Sequence, residues 1–86
     1  MANNQNVILQ SQLASVSSAV AFLASINLSI KKILLGEGIP RIEIACGGGC
    51  RQLQSGHVRH IIRDGRRLSE RLTLVEGCQV RWTENH

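Results

Sequence analysis

A long segment without charge constrains the fold of this chain most. Residues 7–30 contain no Asp, Glu, Lys or Arg, and Lys31 and Lys32 follow at once. Within this segment apolar residues recur at alternating steps of four and three, which is the spacing of one helix face. The spacing predicts a helix over 7–35, about 40 Å long, after a polar lead-in at 1–6. The predicted stripe consists of Leu9, Leu13, Val16, Val20, Leu23, Asn27, Ile30 and Leu34.

The residues beside this stripe decide how the helix is used. They include Gln10, Gln12, Ala19 and Ile26, which are neutral or apolar, so the apolar face is wide. A wide face suits a helix that packs against a sheet or is shared between subunits. Since an 86-residue chain has a small core, we expect a homo-oligomer with the stripe as its interface. Asn27 would either set the register between chains or lie at the edge of an intramolecular contact.

The same segment has the length and the flanking lysines of a membrane-spanning helix. Its glutamine, serine and asparagine side chains argue against that interpretation, because each would need a hydrogen-bond partner in hydrocarbon. No positively charged leader with a small-residue cleavage site precedes it. We therefore expect a cytoplasmic protein rather than a membrane-anchored one.

The second half of the chain has the pattern of strands. Gly36 and Pro40 close the helix, and residues 40–46 alternate between apolar and charged side chains. Asp64-Gly65 is the dipeptide of a two-residue type I′ turn, which predicts a hairpin of strands 57–63 and 66–75. In that hairpin Ile61 would lie opposite Leu68, and Arg59 opposite Glu70.

A second turn at Glu76-Gly77 leads into a strand that ends near Trp82. Residues 40–82 are thus predicted to form a β-meander. We expect residues 1–86 to form a single α+β domain, in which one long N-terminal helix packs on a three- or four-stranded, mostly antiparallel sheet.

Arginine is confined to the part of the chain after residue 40, and it is concentrated near the predicted hairpin. A basic hairpin can contact phosphates or an acidic protein surface. One Phe, one Trp and no Tyr leave little for stacking on bases, so contacts to a nucleic-acid backbone are favoured. The alternative is that these arginines have no binding role and form a charged sheet edge, which prevents pairing with the sheets of other molecules. The candidate residues are Arg59, Arg63, Arg66, Arg67 and Arg71.

Cysteine and histidine side chains could bind zinc. The candidate ligands are Cys46, Cys50, His57, His60 and Cys78. The histidine spacing does not fit familiar zinc modules, and two strand residues three apart point to opposite faces. The alternative is buried cysteines beside a glycine corner, and we expect no cofactor.

The sequence contains no nucleophile, general base and orienting group at a spacing typical of a known active site. We therefore expect no enzymatic activity and no small-molecule substrate. In size and in its basic hairpin the chain resembles small proteins carried by phages and mobile elements. The sequence thus predicts an oligomeric, non-enzymatic protein that binds an anionic partner, nucleic acid first. A structural or interaction protein that binds an acidic protein face is the alternative.

Overall fold

The computed structural model describes residues 4–36, 38–45, 50, 52, 53 and 56–85. One helix is followed by five strands that form a single sheet in the order β1-β2-β5-β4-β3. Neighbouring strands are antiparallel except β2 and β5, which are parallel. The elements are α1 (Asn4–Ser25), β1 (Ile30–Leu34), β2 (Arg41–Ile44), β3 (His57–Arg63), β4 (Arg66–Val75) and β5 (Cys78–Asn85). The α+β class with one N-terminal helix is confirmed, whereas the sheet has five strands and is mixed.

The helix ends ten residues earlier than the 7–35 prediction, at a cap centred on Asn27. Asn27 has φ 62°, the left-handed conformation that closes many helices. The Leu28 N–H donates to the Leu23 carbonyl at 3.0 Å, and the Asn27 N–H donates to the Ala24 carbonyl at 3.0 Å. This is the Schellman arrangement, and the buried side chains of Leu23 and Leu28 supply its hydrophobic contact. Asn27 therefore ends the helix and is not part of a helical stripe.

Residues predicted as the last two turns of the helix form strand β1 instead. Ile30 pairs with Ile44, and Ile33 with Ile42, across an antiparallel ladder that has a bulge between Ile30 and Lys32. Ile30 and Ile33 are three residues apart, as on a helix face, and the bulge is what brings them to the same face of a strand. Pairing with β2 decides between helix and strand, because it buries Ile42 and Ile44 in a sheet.

The core lies between α1 and one face of the sheet. Val16, Ala19 and Leu23 are spaced by three and four along the helix, and all three are buried. They share one hydrophobic cluster with alternate residues of β2 and β5: Ile42, Ile44, Cys78, Val80 and Trp82. The face of the sheet that carries these residues is called the helix face below, and the other is called the open face.

The two predicted hairpins are present. Asp64 and Gly65 have φ 54° and 76°, and Glu76 and Gly77 have φ 49° and 78°, as two-residue turns of type I′ require. The register of the first hairpin also agrees with the prediction, since Arg59 lies opposite Glu70 and Ile61 opposite Leu68. The β3-β4-β5 meander is therefore confirmed, but β2 joins it through a parallel pairing with β5.

Candidate anion-binding face

Strand register assigns the charged side chains to the two faces of the sheet. Residues directly opposite each other on paired strands share a face, and Ile42, Val80 and Trp82 mark the helix face. Arg81 and Glu43 are paired neighbours between these positions, so they lie on the open face. The other charged residues of the open face are Lys32, Arg41, Arg59, Arg63, Arg66 and Glu70.

The five predicted arginines do not form one ridge. Arg59, Arg63 and Arg66 lie on the open face, whereas Arg67 and Arg71 pair with Ile62 and Val58 on the helix face. Arg66 and Arg67 are exposed beside the Asp64-Gly65 turn. The predicted set therefore divides three to two between the faces.

A depression of about 510 Å³ lies along β5, β4 and β3. Its lining holds more positive than negative side chains, and this excess would attract an anion. The charged and titratable residues of the lining are Lys31, Glu43, His57, Arg59, Arg63, Glu70, Arg71 and Arg81.

Glu70 forms ion pairs with two of these arginines. Its Oε2 lies 3.6 Å from Arg59 Nε, and its Oε1 lies 3.9 Å from Arg63 Nη2. Both arginine side chains remain mostly exposed, at 75% and 65%. Ion pairs this long and this exposed contribute little to stability. The Glu70 carboxylate therefore contacts two guanidinium groups, one through each of its oxygens.

Arg81 is the functional candidate that sequence analysis missed. Its Nε is buried and has no hydrogen-bond partner among the residues that the structure describes. A buried donor without a partner carries a desolvation cost that a bound acceptor would remove. The available signal was parity: Val80 and Trp82 are apolar, so Arg81 between them must lie on the opposite face.

Arg71 has a structural partner. Its Nε donates to Glu84 Oε2 at 2.8 Å, and Trp82 Nε1 donates to Glu84 Oε1 at 3.0 Å. The pair is about two-thirds buried on both sides, so the charge-assisted bond is stronger here than at the open surface. Arg71 thereby links the middle of β4 to the end of β5, and it lines the depression at the same time.

The candidate zinc ligands are separated in the fold. His57 and His60 lie on opposite faces of β3, and the His60 Nδ1 is 3.1 Å from the Ser69 hydroxyl. Cys50 and Cys78 are free and buried in the core, and Cys46 lies outside the described residues. Within the described ranges, no three His, Cys, Asp or Glu side chains come together as a metal site.

The predicted oligomer stripe is distributed over several environments. Val16 and Leu23 belong to the core of one chain, and Leu9 and Val20 are partly buried. Leu13 is 54% exposed. Asn27 is the helix cap, and Ile30 and Leu34 are in β1. A continuous seam from residue 9 to residue 34 is therefore absent, because the helix that would carry it ends at Ser25.

The segment Gln5–Ser25 is long and apolar enough to cross a membrane, and 22% of its most apolar window is buried within the protein. Core helices of soluble proteins meet the same criteria. The helix therefore does not by itself indicate a membrane location.

Comparisons with models of known protein families, with curated proteins and with solved structures find no match for this chain.

Proposed function

We propose that the protein is an oligomeric, non-enzymatic binding protein whose open sheet face docks on an anionic partner. Nucleic acid is the preferred candidate for this partner. The observation that carries this proposal is the depression lined mostly by open-face residues, in which Arg59 and Arg63 contact the Glu70 carboxylate and Arg81 lies farther along the same lining. The helix covers the other face, so this one is accessible to a large ligand.

The spacing of the arginines favours a polymer over a single small anion. Arg59 and Arg63 are four residues apart on β3, about 13 Å between Cα atoms at the rise of a strand. Arg81 lies two strands away from Arg59 and is offset by two residues, about 12 Å from it. Cations at such separations contact successive phosphates along a backbone more readily than one phosphate group.

The lining of the depression also favours backbone contacts. Trp82 is 3% exposed and its indole N–H is bonded to Glu84, so it offers no surface for stacking on a base. The remainder of the lining consists of charged, polar and aliphatic side chains and one histidine, His57. We therefore expect binding that depends on charge and varies little with base sequence.

The test is fluorescence anisotropy with a labelled duplex DNA over a series of salt concentrations. Three phosphate contacts give a slope of log Kobs against log salt of about −3. Arg81→Gln should remove one phosphate contact and so reduce the magnitude of this slope by about one. Arg67→Gln is the matched control, because it removes the same charge from the helix face and should leave the contact with the open face unchanged.

Glu70→Gln gives the opposite expectation. It removes the carboxylate that competes with a phosphate between Arg59 and Arg63, so we expect tighter binding and a steeper salt slope. Absence of DNA binding by the unsubstituted protein even at low salt would refute the proposal. Equal binding of a polyglutamate peptide, with a similar response to both variants, would assign the face to an acidic protein instead.

A further inference from the structure

Arg81 differs from the other arginines in its environment. Among the described residues, Arg71 and Arg81 are the two arginines that are partly buried, and the others are exposed. Arg71 is neutralised by Glu84 at 2.8 Å. Arg81 makes no ion pair within the same part of the chain, and its buried Nε has no hydrogen-bond partner there. Because native proteins pair most of their buried polar groups, a partly buried cation without a counterion indicates a place for an external anion.

The carboxylate next to Arg81 in the sheet does not compensate its charge. Glu43 is the neighbour of Arg81 across the parallel β2-β5 ladder, but no ion pair joins these two described residues. A second cation lies in the same lining: the bulge between Ile30 and Lys32 leaves Lys31 in the depression, and bulges commonly redirect a side chain in this way.

The lining of the depression keeps an excess of positive charge after its internal pairs are counted. Its described residues include five Lys or Arg and two Glu side chains. Glu84, outside this lining, neutralises one of the arginines, Arg71, so two positive charges remain in excess. A phosphodiester within a nucleic-acid strand carries one negative charge, whereas a phosphate monoester carries about 1.5 to 2 at pH 7. A single monoester therefore compensates the excess, and a single diester leaves half of it.

The position of Arg81 also favours a phosphate at the end of a strand. Arg81 lies on β5, the middle strand of the sheet, between Glu43 on β2 and Leu72 on β4. A phosphate within a strand has a nucleotide on each side, and these nucleotides keep it away from a partly buried group in a concave surface. A terminal phosphate has a nucleotide on one side only, and it offers three free oxygens to hydrogen-bond donors instead of two.

We propose that Arg81, together with Lys31, binds the terminal phosphate of a nucleic-acid strand. This inference rests on the proposed function and names the part of the nucleic acid that the depression recognises. The guanidinium group can donate two parallel hydrogen bonds to one phosphate, and the ammonium group adds a point charge. Arg59 and Arg63, which lie on the edge strand β3 and are mostly exposed, then contact phosphodiesters farther along the strand.

Fluorescence anisotropy with three forms of one DNA duplex tests this inference. All three carry the same internal fluorophore, and their ends bear a 5′-phosphate, a 3′-phosphate or hydroxyl groups alone. We expect a phosphorylated form to bind about tenfold more tightly than the hydroxyl form, the factor expected for an added hydrogen-bonded contact between charged groups.

Two variants assign the preference to the site. Arg81→Gln should bind all three duplexes equally, with the affinity that Arg59 and Arg63 provide. Arg67→Gln is the matched control, because Arg67 lies on the helix face, and this variant should keep the preference. Arg81 makes no ion pair that the fold would lose, and equal urea midpoints for the two variants would verify that both are folded.

Inorganic phosphate provides a measurement on the unsubstituted protein. The Nε–H group of Arg81 gives a signal in a ¹H-¹⁵N NMR spectrum, which is assigned by its loss in Arg81→Gln. We expect a phosphate titration to shift this signal in a saturable manner and to leave the Nε–H signal of Arg67 in place. A titration that leaves the Arg81 signal in place would refute the phosphate contact.

The outcomes separate this inference from the proposed function. Equal binding of the three duplexes, with the expected salt dependence, would refute the inference and leave the proposed function intact. A preference that persists in Arg81→Gln would overturn the assignment to Arg81. Absence of binding to every duplex, with a shift of the Arg81 signal by inorganic phosphate, would refute the nucleic-acid function and identify the ligand as a free phosphate.

Discussion

Gln12 connects the helix to the β1-β2 loop, and its removal should destabilise the fold measurably. Its Nε2 donates to the carbonyl of Gly36 at 2.6 Å and to the carbonyl of Gly38 at 2.8 Å. The residue is 7% exposed.

The cost of Gln12→Ala can be worked from these contacts. Two hydrogen bonds contribute about 2 kcal/mol net. Two effects offset part of this: alanine favours helix, and the buried Gln12 Oε1 has no partner within the described residues. The carbonyls of Gly36 and Gly38 belong to exposed residues and can bond to water once the amide is gone. We therefore expect a loss of about 1.5 kcal/mol in the free energy of unfolding, or about 6–12 °C in Tm for a domain of this size.

The assay is urea denaturation at a fixed protein concentration, followed by the fluorescence of Trp82, the one tryptophan of the chain and a core residue. Gln10→Ala is the matched control, because Gln10 is exposed on the same helix, and its substitution should change stability by no more than about 0.5 kcal/mol. Equal midpoints for the two variants would refute the contribution of Gln12.

Two further predictions concern the core. Leu23→Ala should lower the free energy of unfolding by about 2–5 kcal/mol, because Leu23 is fully buried. Leu13→Ala changes an exposed residue and should lower it by less than about 1 kcal/mol. Similar losses for the two variants in the urea assay would contradict the orientation of the helix. Burial raises the pKa of the Cys78 thiol, and the nearby Glu76 carboxylate raises it further. The thiol therefore stays protonated at neutral pH, and iodoacetamide should modify it slowly in the native protein and rapidly after unfolding. Because the unfolded thiol ionises at a lower pH than the native one, stability should also fall as the pH rises above about 8.5. Rapid native-state modification of Cys78 would show that the thiol is accessible.

The hairpins could be predicted from sequence because their signals are local. Asp64-Gly65 and Glu76-Gly77 supply the positive φ values that type I′ turns require, and the turn then fixes the register of every pair along the strands. The parallel pairing of β2 with β5 has no such signal. It joins residues nearly forty positions apart, and neither strand differs in composition from an antiparallel one.

The predicted end of the helix, at residue 35, was wrong because apolar spacing alone does not distinguish a helix from a strand over a few residues. Ile30 and Leu34 extend the helical stripe, but they are also compatible with a half-buried strand. The informative residue was Asn27. It is followed by the apolar Leu28, and Leu23 is the third helical residue from the end, which is the pattern of a left-handed cap. The sequence analysis assigned Asn27 to a seam between subunits, and this assignment extended the helix past its end.

The candidate site was predicted in part. The basic character of the β3-β4 hairpin was evident from its arginines, but their division between two faces requires the position of the core. Once Val80 and Trp82 are placed against the helix, strand parity assigns Arg81 and Glu70 to the open face. Arg81 was not considered, because it is distant in sequence from the arginine cluster.

The position of the helix explains why the accessible chemistry collects at one side of the molecule. The buried helix residues, from Gln12 to Leu23, lie over β2 and β5, while Val58 and Ile62 on the same face of β3 stay exposed. Six of the seven residues of β3 are exposed, so its pairing with β4 should open before the pairing of β4 with β5. Arg59 and Arg63 lie on this strand, so an anionic partner bound to them would protect those hydrogen bonds. Binding of the partner would then stabilise β3 by linkage, because the bound state requires the strand to be formed.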